Sequence, residues 1–454
     1  MLVPQAYRDR SVCIVGLGYV GMTLAAAMCD AGFRVHGVER DAHILECLRA
    51  GRAHFLETGL DATLARHVSS GALTCSGALD PNGDARVYIV TVGTPVTPAK
   101  KTNLQAIQIV SEALAAALKP DDMVILRSTV RVGVTRNVVK PVLDRAGVPY
   151  DLTFCPERTL EGRALEELRT LPQIVGGLTE GATLRAREIF GFLTPTVLTV
   201  EGLETAELIK LVNNTQRDYM FAFANEVAEI CDKIGVSAQS VIRAGAMGYP
   251  RALAVYPGPV GGPCLEKDPY ILAEGAQLLG ADARLALEAR RFNEALPGRS
   301  ATLLAKYFEH RGVRPKKLVV CGLAFKGRPE TSDLRGSMAF PLIAELRAHF
   351  ADAEICGFDP SVDLEEARSF GVTLFDDAAA AAEGADALFF QTNNPRFQKL
   401  DFDALRALMA EGGLIYDYWD QFGIQLEKPV NGVRFAKLGA WSLSGAPYPQ
   451  AAAG

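Results

Sequence analysis

Residues 11–33 read SVCIVGLGYVGMTLAAAMCDAGF, a β-branched run followed by small and apolar residues at helical spacing. Three glycines lie at the junction. The first permits a tight turn, the second lets a pyrophosphate approach the backbone, and the third lets the helix pack on the strand. The N-terminus of the helix offers free N–H groups and a positive dipole end to that anion. The motif predicts a dinucleotide-binding turn, although a glycine-rich turn without a ligand has the same pattern. Its residues are Gly16, Leu17, Gly18, Tyr19, Val20 and Gly21.

A second predicted strand, RVHGVERD, follows this helix and contains an acid near its end. Glu39 lies 18 residues after Gly21, where a carboxylate hydrogen-bonds the adenosine ribose hydroxyls in dinucleotide folds. A carboxylate there repels a 2′-phosphate, so the sequence favours NAD over NADP. Arg40 leaves NADP open, because its guanidinium could pair with such a phosphate. Glu39 and Arg40 are therefore both candidate cofactor contacts.

Farther along the chain, strand-like and helix-like segments keep alternating. ARVYIVTVGTP and DMVILRSTV are β-branched runs bounded by turn signals, and LQAIQIVSEALAAALK between them has helical spacing. Such alternation is typical of a doubly wound parallel sheet covered on both faces. We predict an N-terminal NAD-binding domain over residues 8–200.

The pattern then changes to one long helix, from Thr205 to about Ile234, with Gly235 as its C-terminal cap. More helix is predicted up to about Tyr307, which gives a central helical domain over residues 201–310. A second alternating region covers residues 315–445, through KKLVVCGLAF, AEICGFDP, VTLFDD, ADALFFQT and GLIYDYW. The predicted fold is α/β, with two doubly wound Rossmann-like domains joined by a long central helix and a small helical domain. The tail APYPQAAAG is predicted to be disordered.

Composition narrows the class of protein. The chain has 454 residues, 47 Lys+Arg against 53 Asp+Glu and a net charge of −6, which gives no support to a nucleic-acid binder. No apolar run approaches the ~18–20 residues of a membrane span, and MLVPQAYRDRS lacks the apolar region of a signal peptide. The nine cysteines are odd in number and scattered, without a CxxC pair, which favours a reduced cytoplasmic protein. No His, Cys, Asp or Glu cluster has metal-ligand spacing, so no metal is expected.

One cysteine differs from the rest in its surroundings. Cys264 lies in PGPVGGPCLEKDPY, where prolines and glycines predict a tight turn with an exposed thiol. Lys267 and Asp268 follow closely, and a cation near the thiol would lower its pKa. An ordinary loop thiol fits the same residues. The six histidines all lie outside the candidate loops, so a general base would be Lys, Asp, Glu or a bound water.

Lys210 and Asn214 are four residues apart and therefore share one face of the long helix. A solvated helix face is the simplest interpretation of this spacing. The neighbouring Leu211 and Val212 instead suggest that the helix has a substantial buried surface. A Lys and an Asn side by side on such a surface could hold a polarised oxygen and a water.

Seven stretches occur in the order found in one enzyme family: GLGYVG, VGTPV, STV at 128–130, CPERTLEG, AELIKLVNN, GGPCLEKD and LAFKGRPETSDLRGS. On these residues the chain resembles the nucleotide-sugar 6-dehydrogenases, a family that includes UDP-glucose and UDP-N-acetylhexosamine dehydrogenases. The resemblance is close over about residues 10–340 and looser beyond. It implies an NAD-dependent, four-electron oxidation at C6 of a UDP-sugar, in which the Cys264 thiolate forms a thiohemiacetal and then a thioester. Two NADH per sugar are expected.

The resemblance also implies a role for individual residues. Lys210 would stabilise the developing oxyanion, while Asn214 and Asp268 would position or activate the hydrolytic water. Glu157 would act as acid/base in thioester hydrolysis, and Thr129 would hold that water or a cofactor hydroxyl. Further cofactor contacts are implied for Val92, Thr94, Pro95, Ser128, Val130, Glu161, Lys267 and Arg335.

Substrate contacts are implied for residues that come before and after the long helix in the sequence. Besides Lys210 and Asn214 they are Arg158, Thr159, Leu160, Arg251, Tyr256, Pro257, Gly258, Gly261, Phe325 and Lys326, within and around a turn over residues 255–261. Arg251 matches an arginine that family members contribute across a dimer interface, so a homodimer built on the long helix is implied. The C-terminal domain would hold the uridine part.

The sequence gives mixed signals about the sugar. Arg158 in CPER resembles the N-acetylhexosamine branch, as do the spacing from Arg251 to Pro257 and the Asp268-Pro-Tyr run. Against this, Glu161-Gly162 and Lys267 resemble the UDP-glucose branch, and PGPVGG is one residue shorter than the corresponding turn in either branch. We favour a UDP-N-acetylhexosamine, with UDP-glucose as the alternative.

Two other classes of protein share part of the pattern. A single-step dehydrogenase of the β-hydroxyacid type also combines a dinucleotide fold with Lys and Asn four residues apart, but it needs no cysteine. A regulator that senses NAD or a nucleotide sugar would keep the folds but has no use for the Cys-Lys-Asn set.

Overall fold

The computed structural model describes residues 2–422 and 430–441. These residues form two compact units. Unit 1 runs up to Thr215 and also includes Lys267–Ala283, whereas unit 2 comprises Gln216–Glu266 and the chain from Arg284 on. The predicted disordered tail, residues 446–454, lies outside the described residues.

Unit 1 contains an eight-stranded sheet in the order β3-β2-β1-β4-β5-β6-β7-β8. Successive residues along a strand pack on opposite faces: Val12 and Ile14 lie in one apolar cluster, and Cys13 and Val15 in another. The predicted sheet with two buried faces is therefore confirmed. Its strands are β1 Ser11–Val15, β2 Arg34–Val38, β3 Leu73–Ser76, β4 Val87–Val90, β5 Asp122–Leu126, β6 Tyr150–Phe154, β7 Gln173–Gly177 and β8 Val197–Val200.

The sheet is parallel, as predicted, except at one pair of strands, because β6 and β7 are antiparallel. Phe154 pairs with Gly176, so β7 begins beyond the carboxyl end of β6. An antiparallel neighbour needs no crossover to the other end of the sheet. The connection over residues 155–172 therefore stays at the carboxyl edge, where open α/β sheets bind their ligands.

Helices cover both faces of this sheet. The first of them starts directly after the glycine-rich turn, as predicted. A π-helical turn, Thr135–Val139, precedes the fifth helix, and a 3₁₀ turn, Asp144–Ala146, follows it. The helices are α1 Tyr19–Asp30, α2 Ala42–Arg49, α3 Leu60–Ser69, α4 Gln105–Ala117, α5 Lys140–Leu143, α6 Ala164–Thr170 and α7 Glu180–Gly191.

The predicted long helix is α8, Leu203–Ile234, which starts two residues earlier than expected. Gly235 has a φ of +79° and donates its N–H to the Cys231 carbonyl, which is the glycine cap predicted from the sequence. The division between the two units falls after Thr215, within α8. The predicted helical region after it contains α9 Ala238–Ala246, α10 Gly262–Leu265, α11 Asp268–Leu278, α12 Arg284–Glu294 and α13 Leu296–His310.

Unit 2 contains a six-stranded parallel sheet in the order β11-β10-β9-β12-β13-β14. Leu318 and Val320 face one apolar cluster, and Val319 and Cys321 face the other. Its strands are β9 Lys317–Cys321, β10 Glu354–Phe358, β11 Thr373–Phe375, β12 Ala387–Phe390, β13 Leu414–Asp417 and β14 Arg434–Lys437. Its helices are α14 Ala339–His349, α15 Leu364–Ala367, α16 Ala378–Ala382 and α17 Phe402–Leu408, with 3₁₀ turns at Arg368–Phe370 and Pro395–Lys399.

The second doubly wound fold is thus also confirmed. Within the described part of the chain, none of the helices combines the length and the hydrophobicity needed to cross a membrane.

Candidate active site

The three glycines of the first turn have the properties that the motif predicts. Gly16 has a φ of +95°, which favours glycine, and a Cβ on Gly21 would lie 1.9 Å from the Gly16 carbonyl oxygen. A Cβ on Gly18, by contrast, would meet no described atom within 4 Å. The turn therefore has open space at Gly18, where a pyrophosphate would approach, and close packing at Gly21.

The N-terminus of α1 can receive an anion. Among the described residues, no side chain caps it and no acid lies in its first turn. Its N–H groups are therefore available to a phosphate. The side chain of Leu17, the second residue of the turn, is fully buried and so anchors the turn in the protein interior.

Glu39 directly follows β2 and folds back onto the glycine-rich turn. Its Oε2 accepts a hydrogen bond from the Leu17 N–H at 2.8 Å, and its Oε1 accepts one from the Arg40 N–H at 2.8 Å. The carboxylate is thus held beside the turn, as the cofactor assignment requires, whereas Arg40 is exposed. These residues fit NAD.

The segments after β4 and β5 lie beside the same turn. Val92 touches Gly16, since a Cβ there would come within 3.0 Å of the Val92 side chain. The Thr94 hydroxyl donates to the Thr129 carbonyl, and the Ser128 N–H donates to the Val90 carbonyl at 3.1 Å. The side chain of Val130 is buried in the core, so the predicted cofactor contact at this residue would use its backbone.

Lys210 is buried on α8 and its Nζ donates to the Glu157 carbonyl at 2.5 Å. The solvated-face interpretation is therefore wrong for Lys210. Leu211 is fully buried, but Val212 is 43% exposed, so only Leu211 supports the predicted buried surface.

Glu157 belongs to a buried ion pair that the sequence reasoning missed. Arg127 donates to Glu157 Oε2 through Nη2 at 2.6 Å and to Gln173 Oε1 at 3.0 Å. Burial raises the pKa of Glu157, but the Arg127 guanidinium outweighs it and the pKa is lowered overall. The signal for Arg127 was a charged residue inside the apolar run VILRSTV.

Asn214 lies one helical turn after Lys210 and contacts Asp268. Its Nδ2 donates to Asp268 Oδ2 at 2.6 Å. Asp268 is fully buried at the start of α11, and its Oδ1 lies 3.3 Å from the Lys267 Nζ. Lys210 with Glu157 and Asn214 with Asp268 are therefore two hydrogen-bonded pairs on one helix face of unit 1.

The loop after β6 is fixed through its backbone. The N–H groups of Arg158 and Thr159 donate to Glu157 Oε1 at 2.7 and 2.8 Å. The Leu160 N–H donates to Glu167 Oε2 at 2.6 Å, and the Arg158 guanidinium donates to the Pro172 carbonyl. This loop, which includes the candidate substrate residues 158–160, is therefore preorganised; Glu161, the next residue, is half-buried.

Cys264, in unit 2, is exposed, whereas the other eight cysteines are buried or half-buried. The expected tight turn is instead the short helix α10, which contains Cys264. Pro263 supports that geometry, since proline suits the first turn of a helix. Gly262 has a φ of +83° and packs against Phe325, where a Cβ would lie 2.3 Å from the ring.

The turn over residues 255–261 is held by side chains that sequence reasoning missed. Asn225 accepts from the Gly258 N–H at 2.8 Å and donates back to the Gly258 carbonyl at 3.1 Å. Arg290 is buried, pairs with Asp218 at 2.8 Å and donates to the carbonyls on both sides of Cys264, at Val260 and Leu265. Pro257 and Gly258 are buried, so they contribute to the conformation of the turn from its interior side.

Unit 2 also contains a cavity of about 460 Å³. Its lining includes Tyr256, which is one of the predicted substrate residues. It also includes aromatic, amide and guanidinium side chains that the sequence did not single out. The main ones are Phe221, Gln239, Arg328, Asn393, Trp419 and Gln421. Gly258 allows this packing, because a Cβ there would lie 2.5 Å from the Trp419 ring.

Of the predicted cationic contacts of unit 2, Arg251 and Arg335 are exposed and Lys326 is half-buried. Arg251 stacks on the Tyr249 ring at 4.5 Å, and Lys326 lies 5.2 Å over the Phe325 ring. Arg335 forms an exposed ion pair with Asp333 at 2.5 Å. Over residues 2–422 and 430–441, no group of three His, Cys, Asp or Glu side chains could hold a metal ion.

Comparison with known protein families gives three matches in chain order. Residues 10–194 match the NAD binding domain of the UDP-glucose/GDP-mannose dehydrogenase family, residues 204–295 its central domain and residues 319–423 its UDP binding domain.

Individual proteins agree with these matches. The NDP-N-acetyl-D-galactosaminuronic acid dehydrogenase of Ralstonia nicotianae is 32% identical over 411 residues, which cover 88% of this chain and 94% of that protein. The solved UDP-D-ManNAc dehydrogenase of Pyrococcus horikoshii superimposes with a TM-score of 0.85 at 28% identity, covering 95% of this chain and 99% of that one. A UDP-glucose dehydrogenase from Pyrobaculum islandicum gives 0.84 at 27% identity, covering 97% and 100%.

Proposed function

Because this chain belongs to the UDP-glucose/GDP-mannose dehydrogenase family and is an NAD-dependent oxidoreductase, we propose that it oxidises C6 of a UDP-N-acetylhexosamine to the carboxylate. Two NAD⁺ are consumed per sugar. The observation that carries this proposal is the pair of contacts on α8, Lys210 with Glu157 and Asn214 with Asp268, in the unit that also contains the glycine-rich turn.

Gly16, Gly18 and Gly21, with Glu39, would hold NAD⁺, which would supply the hydride acceptor for each oxidation at C6. The thiolate of Cys264 attacks the intermediate aldehyde and forms a thiohemiacetal, whose oxidation gives a thioester that water hydrolyses. The thiol is exposed, as a nucleophile must be. Cys264 and Asp268 are only four residues apart in the sequence, and four extended residues span at most about 14 Å.

Lys210 stabilises the oxyanion that develops at C6, because its ammonium is already fixed by the Glu157 carbonyl and needs little reorganisation. Asn214 and Asp268 position the hydrolytic water. Since the pKa of Glu157 is lowered, its carboxylate is ionised at neutral pH and can accept a proton from that water but cannot donate one. Thr129 contributes to the same water or to a cofactor hydroxyl.

The nucleotide end of the substrate occupies the cavity of unit 2. Trp419 and Tyr256 offer aromatic surface, and Asn393 and Gln421 offer amide donors and acceptors, a combination that suits a nucleobase. Trp419 and Arg328 fall within the segment that matches the UDP binding domain. We assign NAD binding to residues 8–200, dimerisation to residues 201–310 and UDP binding to residues 315–445.

The N-acetylhexosamine assignment has support from two relatives and from the loop after β6. The Ralstonia and Pyrococcus proteins are named for N-acetylated sugars. Arg158, which resembles that branch, is fixed by the Pro172 carbonyl at the edge of the sheet. UDP-glucose is the second candidate, favoured by the Pyrobaculum structure and by Glu161 and Lys267.

A homodimer is favoured by the surface of α8 and α9 in unit 2. Tyr219, Phe223, Ile230 and Ile234 are 45–66% exposed and recur at helical spacing on α8, and Met247, which directly follows α9, is 78% exposed. An apolar stripe of this kind is typical of a protein interface. Arg251 would act on the partner's substrate, and we place the enzyme in the cytoplasm.

The test is an absorbance assay at 340 nm with UDP-N-acetylmannosamine, UDP-N-acetylglucosamine, UDP-N-acetylgalactosamine and UDP-glucose as separate substrates. We expect turnover with an N-acetylated sugar and two NADH for each sugar consumed. Turnover with UDP-glucose alone would replace the substrate assignment. One NADH per sugar would contradict the thioester route and favour a single-step dehydrogenase.

A further inference from the structure

We propose that Glu57 is a positioning residue that couples cofactor binding to substrate binding, through a hydrogen-bonded link between the glycine-rich turn and the loop after β6. This inference rests on the proposed function for the identity of the two ligands. The residues of the link, Tyr19, Glu57 and Gly162, all lie in unit 1.

One carboxylate oxygen joins the two sides of the link. The Tyr19 hydroxyl donates to Glu57 Oε2 at 2.5 Å, and the Gly162 N–H donates to the same oxygen at 2.8 Å and to the Tyr19 hydroxyl oxygen at 3.0 Å. Glu57 is 8% exposed. Hydrogen bonds to a shielded carboxylate are shorter and stronger than neutral ones, so this contact can transmit a displacement.

On the cofactor side, the link begins at the first residue of α1. Tyr19 directly follows Gly18, and its ring packs against Phe55 with centroids 4.7 Å apart. Burial, together with the hydrogen bond to Glu57, raises the pKa of the Tyr19 hydroxyl, which therefore keeps its proton and stays a donor. A pyrophosphate seated on the α1 N-terminus contacts the backbone that carries this side chain.

On the substrate side, the link ends in the loop that holds the candidate substrate residues. Glu157 holds the N–H groups of Arg158 and Thr159, and Glu167 holds that of Leu160. Gly162, with a φ of +89°, is the point at which Glu57 and Tyr19 hold the same loop from the cofactor side.

When a ligand fixes the conformation at one end of this link, less free energy is therefore needed to fix the conformation at the other end. Cofactor bound at the turn fixes Tyr19, which fixes Gly162 through Glu57 and so restrains the end of the loop that Glu157 and Glu167 do not hold. By linkage, a nucleotide sugar on the loop strengthens cofactor binding by the same factor. The expected signature is a coupling between two affinities and not a loss of either one alone.

The experiment measures the dissociation constant of NADH by fluorescence titration, alone and with saturating UDP-N-acetylmannosamine or UDP-glucose. NADH cannot accept a hydride, so no turnover occurs. In the wild type we expect the sugar nucleotide to tighten NADH binding by about fivefold or more. Y19F removes the hydroxyl but keeps the ring on Phe55, and should bring this factor close to one. E57Q should reduce it as well.

Y150F is the matched control, since the Tyr150 hydroxyl bonds Asp144 at 2.8 Å and takes no part in the link. It should keep the wild-type factor, and thermal melts should show Y19F folded. Y19F in the E57Q background should add little, because both changes interrupt one link. A factor of one in the wild type with both sugar nucleotides, or an unchanged factor in Y19F, would overturn the proposal. The proposed function fails separately, if no UDP-sugar is oxidised in the absorbance assay.

Discussion

At the residue scale, the candidate catalytic residue Glu157 of unit 1 is fixed by a partner, Arg127, that has no chemical role of its own. Arg127 neutralises Glu157 in the interior, and the Glu157 carbonyl in turn fixes Lys210. Removing one partner of such a buried pair leaves an uncompensated charge, which costs about 3–5 kcal/mol. Arg127 is therefore a condition for Lys210 to hold its position.

Replacing Cys264 by serine should abolish turnover and leave NAD⁺ affinity nearly unchanged. The change removes the nucleophile and almost no volume, and the side chain is exposed, so the fold should tolerate it. The measurements are NADH formation at 340 nm and cofactor titration. Cys75→Ser, in β3 and only half-buried, is the matched control and should retain activity. Turnover of Cys264→Ser at the wild-type rate would refute the covalent route.

Two glycines of the first turn should respond differently to a side chain. Gly18→Val should weaken NAD⁺ binding by about tenfold or more without lowering the melting temperature, because the side chain enters open space that the pyrophosphate needs. Gly21→Ala should lower stability by about 1–3 kcal/mol, because its Cβ would overlap the Gly16 carbonyl oxygen. Calorimetry and denaturant unfolding separate the two effects. Wild-type NAD⁺ affinity in Gly18→Val would contradict the assignment of the turn.

At the scale of elements, the direction of one strand decides where the substrate loop lies. Because β7 is antiparallel to β6, the connection over residues 155–172 starts and finishes at the same end of the sheet, the carboxyl end of β6. That edge also carries the turn after β1 and the segments after β4 and β5. A parallel β7 would have required this connection to cross to the opposite end of the sheet.

The end of β13 should give a pH-dependent stability. Burial raises the pKa of Asp417 to about 6, although the N–H groups of Trp419 and Gln421 donate to it. Between about pH 4 and 6 the folded state therefore binds a proton that the unfolded chain releases. The resulting stabilisation is complete below that range and is lost as pH rises through 6, by up to about 3 kcal/mol.

Asp417→Asn should flatten this slope, measured by denaturant unfolding between pH 4.5 and 7.5. Part of the slope should remain, because burial also raises the pKa of Asp232 to about 6. Asp352→Asn, at an exposed position, is the control and should leave the profile unchanged. A wild-type profile in Asp417→Asn would show that this carboxyl is not the source.

At the scale of the whole molecule, the proposed chemistry is divided between two compact units. Unit 1 carries the glycine-rich turn and the Lys210 and Asn214 contacts, whereas unit 2 carries Cys264 and the cavity of about 460 Å³. The exposed stripe on α8 and α9 adds a surface that points to a second copy of the chain.

Phe223→Glu combined with Ile230→Glu should convert a dimer into a monomer, because two charges cannot be buried in an apolar interface without a large desolvation cost. Light scattering should then give 48.7 kDa in place of twice that mass. Leu184→Glu, on α7 in unit 1 and also about half exposed, is the control and should leave the mass unchanged. A wild-type mass for the double variant would contradict the proposed interface.

The sequence alone determined most of the fold. Period-two and helical patterns are local properties, so β1, α1 and five of the six strands of unit 2, β9 to β13, could be read from short windows, whereas β14 was not predicted. The glycine-rich turn could be read for the same reason, since the roles of Gly16 and Gly21 depend on neighbouring backbone. The C-terminal limit of α8 followed from Gly235, and its start was predicted two residues too late.

Only the tertiary structure decided which distant residues meet. Asn225, Arg290 and Glu57 look ordinary in the sequence, and Arg127 differs only as a charge within an apolar run, because the side-chain hydrogen-bond partners that the structure gives them lie 25 or more positions away. The direction of β7 and the burial of Val130 were likewise decided by pairing and packing across the sheet. A local sequence pattern determines the secondary structure of a segment. Hydrogen bonds between distant segments depend on the tertiary fold of the whole chain.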